Sequence, residues 1–190
     1  MTDVEELKKL DQNLKKAIGQ VGAESKYATE LEEDLKKIET DEPDQAVKDV
    51  KKGIRLVNFL GRTNRYADRY EKKLVKNLIA LAKILPENLK AEALKLANKI
   101  EIADAKITKE SSRYVGDIRQ ELGKISTYEH LVERYKDDPN KEAQVRQKLT
   151  ALIQATEKAV ADLVRWINMA QIILSKNIQG FDDELKKLAA

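Results

Sequence analysis

Cysteine is absent from this chain of 190 residues, and histidine occurs once, as His130. The first absence excludes disulfides, thiolate nucleophiles and thiolate metal sites. The second argues against a multi-histidine zinc site or a histidine-based triad within one chain. Di-iron-type bundles carry Glu-x-x-His pairs, but the residue three before His130 is Thr127, so that pattern fails too. Aromatic residues make up only 5%, and seven glycines and three prolines leave little turn chemistry. No strand-like alternation or hairpin dipeptide occurs, so no strand is available to carry a Gly-rich phosphate loop. No run approaches the roughly 18 apolar residues of a membrane span. The most apolar window, 163–174, still holds Arg165, Asn168 and Gln171. The opening residues through Glu6 are acidic and lack an apolar stretch, so no secretory signal is expected and the expected location is cytoplasmic.

What remains is 42% apolar and 36% charged, rich in Leu, Ala, Glu and Lys, a balance that reads as long helices. Pro43, Pro86 and Pro139 cut the chain into segments 1–42, 43–85, 86–138 and 139–190. Proline suits the first helical turn and stops the helix before it. Acidic or capping residues flank each one: Thr40 and Asp41, Glu87, and Asp137 and Asp138. Helices are expected at about 3–39, 43–85, 86–137 and 139–179, with a short terminal helix at 181–189.

Each segment carries an apolar stripe at 3-4 spacing. The first runs through Leu10, Leu14, Ala17, Val21, Ala28, Leu31 and Leu35, interrupted by Glu24 near Gly19 and Gly22. These glycines predict either a bend or a close helix approach. In the second segment the stripe slips by about one place around Gly61, between Val57 and Ala67, where a kink or a break is possible. A like slip lies near Ser111 in the third, which also carries Gly116 and Gly123 as kink sites. The fourth runs through Leu149, Leu152, Thr156, Leu163 and Trp166, with Trp166 expected as a core anchor. Gly180 is expected to end it, and Phe181, Leu185 and Leu188 then predict a short helix folding back on the bundle end.

Four striped helices joined by short connections cannot be buried singly. The expected fold is all-α: one domain, 1–190, forming an elongated antiparallel four-helix bundle or paired helical hairpins with coiled-coil-like heptad packing. The long third segment would overhang its neighbours unless it bends or pairs with a second copy, so a homodimer is one expectation.

Charge is strongly segregated. Residues 1–47 hold 7 Lys+Arg against 13 Asp+Glu, a net of −6, whereas residues 48–83 hold 11 against 3, a net of +8. The basic residues of the second segment recur at heptad spacing: Lys48, Arg55, Arg62, Arg69, Lys76 and Lys83, joined by Arg65 and Lys72, with Tyr66 beside Arg65. Such a ridge suits a nucleic-acid backbone or an anionic membrane face. It equally suits a solvated outer face, or one covered by the acidic first helix. Adjacent carboxylates such as Glu32-Glu33-Asp34 point in different directions on a helix and make no catalytic pair by spacing.

The function expected from these patterns is that of a non-enzymatic interaction or scaffold protein acting through helix surfaces. Its partner would be another protein or a second copy. The alternative is sequence-nonspecific binding of nucleic acid or an anionic membrane along the ridge. No cofactor, metal or small-molecule substrate is expected.

Overall fold

A computed structural model describes residues 3–189, and every long element in it is helical. The helices are α1 (Asp3–Thr40), α2 (Pro43–Ala82), α3 (Glu87–Arg134) and α4 (Pro139–Ile172). A π-helical stretch, Ile173–Ile178, then leads directly into α5 (Gln179–Ala189). Among the described residues there is no strand, and no helix is long and apolar enough to cross a membrane. The four long helices pack against each other as an all-α bundle.

The helix limits follow from local chemistry. Pro43 and Pro139 are the first residues of α2 and α4, and Pro86 immediately precedes α3, so the missing proline N–H is never needed inside a helix. Asp138 caps α4, its carboxylate accepting the Lys141 amide at 3.3 Å. At the end of α2 the Lys83 and Ile84 amides bond the Ala80 and Leu81 carbonyls at 3.2 and 3.1 Å, tightening the last turn. Lys83 therefore lies just beyond the helix, in a turn.

The chain forms two compact units. Unit 1 comprises Met1–Glu24, Arg62–Glu110 and Trp166–Ala190; unit 2 comprises Ser25–Gly61 and Ser111–Arg165. Each draws on all four long helices. In unit 1, Leu10, Leu14, Leu74, Leu78, Ile100 and Leu174 are buried. Asn77 of α2 donates to the Glu6 carboxylate of α1 at 2.8 Å, and Lys16 lies over the Tyr70 ring, so these two helices run antiparallel there. In unit 2 the core includes Leu31, Leu35, Val57, Ile118, Leu122 and Val160. Burying each such side chain contributes about 1.5–3 kcal/mol. Leu14, Leu74, Ile100 and Leu149, one from each stripe, are all buried.

The irregularities in the stripes coincide with the unit limits. The chain passes between units after Glu24, Gly61, Glu110 and Arg165, yet α1, α2, α3 and α4 each run unbroken through these places. The slips near Gly61 and Ser111 are thus changes of core within continuous helices. Two expectations of the fourth stripe are corrected. Gly180 does not end a helix but lies inside α5, because the π-helical stretch carries the backbone onward without a turn. Trp166 is only half-buried; Ile167 takes the core position and Lys106 sits over the indole ring. A stripe of this width spans neighbouring positions, and the smaller Ile167 is the one turned inward.

Candidate interaction surface

The outer face of α2 follows from the same periodicity that buries its stripe. Once Ala67, Leu74, Leu78 and Leu81 turn inward, the residues between them face solvent. In unit 1 the exposed charged residues of α2 are Arg62, Arg65, Arg69, Lys72, Lys73 and Lys76. Every one is a cation. The two acids of this stretch behave differently: Asp68 is half-buried and accepts from Lys72 at 2.9 Å, and Glu71 is buried. Tyr66 is 39% exposed with the Arg69 guanidinium 5.3 Å from its ring centre. Lys83, in the turn after α2, is exposed too, and in unit 2 so are the earlier basic residues Lys48 and Arg55.

Two acids of α1 in unit 1 pair away from the ridge. Asp11 binds Lys15 and Lys186, and Glu6 binds Lys9 and Asn77. Each ridge residue that the heptad spacing singles out is exposed to solvent.

Beside this face, within unit 1, α2 and α3 leave a groove of about 740 Å³. Val75 and Ile79 of α2 and Ala105 of α3 supply its apolar part; Lys72, Lys76 and Lys109 supply cations, and Asp68, Glu101 and Asp104 supply acids, of which Glu101 is the exposed one. Ile79 is 41% exposed, and Ile102, next to Glu101 in sequence, is 64% exposed. These are large apolar side chains left in water on an otherwise charged exterior.

Asp104 also lines the groove, and it opens inward onto a second feature. A void of about 10 Å³, enough for one water, lies among Glu71, Asp104, Ile100, Ile107, Ala170 and Leu174. Burial pushes the Glu71 carboxyl well above the ordinary range, and its hydrogen bond with Asp104 pushes it further. Burial raises Asp104 likewise, while Thr108 donates to its Oδ1 at 2.9 Å. Glu24 of α1, 5% exposed, is raised by burial to about 8. With Glu71 raised to about 10 and Glu24 to about 8, these two carboxyls hold their protons at neutral pH and subtract little from the positive face above them. Among the described residues no group of three or more acids or histidines is arranged to hold a metal ion.

Periodicity alone found the ridge but missed the groove and the acids. Val75 and Ile79 were visible only as apolar residues off the stripe. Glu71 occupies a better stripe position than Tyr70, at spacing 67, 71, 74 and 78, but an apolar bias favours the tyrosine. Compared with known protein families, curated proteins and solved structures, the chain matches none, so its surface is read from its own residues.

Proposed function

We propose that this is a non-enzymatic interaction or scaffold protein that binds another protein through a helix surface. The observation that carries the proposal is the α2–α3 groove of unit 1, where Ile79 is exposed beside Lys72 and Lys76. Large exposed apolar side chains bordered by charge are characteristic of docking faces. In-cell photocrosslinking tests it: a photoreactive residue at Ile79 or Ile102 should give discrete adducts with a protein. The same residue at Lys148, exposed in unit 2, should not. If none of the three positions gives an adduct, the proposal fails. An adduct with a second copy of the chain would make the partner a homodimer, the other form of the same reading.

A second reading rests on a different observation, the exposure of the whole basic ridge. It is sequence-nonspecific binding of nucleic acid or an anionic membrane face. A gel shift with mixed-sequence DNA should then weaken steeply with salt, and Arg62→Glu with Arg69→Glu should abolish it while helicity stays unchanged. Absence of a complex at low salt with DNA, together with no co-sedimentation with anionic vesicles, removes this reading.

A further inference from the structure

We propose that the α2–α3 groove of unit 1 receives an amphipathic helix of a partner protein, apolar on one face and acidic along the edge that lies beside α2. This rests on the protein-interaction reading above and names the chemistry of the partner.

The dimensions suit a helix. The groove is bordered on α2 from Asp68 to Ile79, eleven helical steps or about 16 Å of rise, which matches three turns of a guest helix. Such guests anchor through apolar residues at i, i+3 or i+4, and i+7. Val75 and Ile79 supply two apolar contacts on one wall. Ala105, with only a methyl group, leaves room opposite them.

The charges specify the guest. From 62 to 82 every exposed charged side chain of α2 is a cation, Asp68 is held by Lys72, and Glu71 is buried. A guest edge of Glu or Asp complements that wall. On the α3 wall Asp104 is buried, Lys109 is a cation and Glu101 is the exposed acid, so Glu101 fixes which way round the guest lies by accepting a basic residue from its other edge. Exposed ion pairs are each worth little, so apolar anchoring carries affinity and charge carries selectivity.

A helix fits better than a nucleic acid. Single-stranded nucleic acids gain from bases stacking on aromatic rings. On the exposed side of α2 in unit 1 the ring is Tyr66, and Arg69 already lies over it. An apolar strip of Val75, Ile79 and Ala105 offers a phosphate backbone nothing.

The test uses the full-length protein and a fluorescein-labelled designed peptide of about 18 residues, with Leu at the anchor positions and Glu on the flanks. A control peptide has every Glu replaced by Lys. Fluorescence anisotropy near physiological salt should show saturable binding of the Glu peptide and at least roughly tenfold weaker binding of the Lys peptide. Ile79→Asp should weaken the Glu peptide by roughly tenfold, and Lys76→Glu by roughly threefold. Ala105→Trp, which fills the groove from an exposed position, should block binding with helicity unchanged. Equal affinity for both peptides overturns the proposal. So does a Glu peptide insensitive to both Ile79→Asp and Ala105→Trp, and so does tighter binding of mixed-sequence DNA or anionic vesicles than of the Glu peptide. Crosslinks from Ile79 in cells without any preference for the Glu peptide would leave the interaction reading standing and remove this one.

Discussion

At the residue scale, Gly53 is where the helices come closest to the limit of packing. A β-carbon built there would lie 2.9 Å from Asp34 Oδ2 and 3.4 Å from Leu122 Cδ1. Asp34 is 1% exposed and lies against the Gly53 backbone. Burial, and then the nearby Asp49 charge, push its carboxyl up to about 6, which Lys52 and Lys37 offset only in part. Gly53→Ala should therefore destabilise the protein by about 1–3 kcal/mol through overpacking, despite the better helix propensity of alanine. Gly22→Ala, at an exposed position with no atom within 4 Å of the new methyl, should stabilise it by about 0.5–1 kcal/mol. Urea unfolding of both variants at one pH checks the pair; a neutral Gly53→Ala would show that Asp34 yields without cost. The sequence drew attention to Gly19, Gly22, Gly61, Gly116 and Gly123 because they stand near irregular stripes. Gly53 escaped notice because its constraint comes from a residue on another helix, which no local pattern encodes.

At the scale of elements, the helices were legible because proline acts locally. It sets the start of α2 and α4 in the chain itself, whatever the tertiary packing. The far end was not legible, because a π-helical stretch depends on how the preceding and following helix faces are matched to the core. That stretch and α5 place Phe181 and Leu185 in the core while leaving Leu188 67% exposed. Lys186 ties the element down, reaching Asp11 of α1 at 2.8 Å and Asp182 of its own helix at 2.9 Å. Asp182 is fully buried, and burial raises its carboxyl despite the nearby ammonium. Lys186→Ala would leave that carboxylate without its counter-charge. Amide hydrogen exchange across α5 should then quicken by roughly tenfold relative to α3 at neutral pH, a local loosening measurable by mass spectrometry. Exchange that changes equally in α3 and α5 would show that the bridge supports the whole fold instead. The candidate site divides along the same line. The ridge follows from one helix and its heptad, whereas the groove needs the knowledge that Ile79 and Ala105 of two different helices line one groove.

At the scale of the whole molecule, net charge of +3 understates how the chain holds its protons. Burial raises Glu24 to about 8, Glu129 to about 7 and Asp34 to about 6, and raises Glu71 further still. All of these return to ordinary carboxyl values, about 4, in the unfolded chain. Between those limits the folded protein binds more protons than the unfolded chain, so unfolding releases protons and stability falls as pH rises. The contribution is fully present below about pH 4 and disappears as pH climbs through 6 to 8 and beyond. Acid acts in the opposite sense on Asp11, whose carboxyl Lys186 and Lys15 hold below its usual value, so its share is lost as pH falls through the acid range. The melting temperature should accordingly be highest in mildly acidic buffer, near pH 5, and should fall steadily between pH 5 and 9. Glu24→Gln keeps a neutral group of the same shape in place. It should match the wild type near pH 5 and exceed it at pH 9, flattening the profile. Circular dichroism melts of both proteins across that range check the sign, and a wild-type melting temperature that climbs steadily from pH 5 to 9 would mean that these carboxyls ionise in the folded state without penalty.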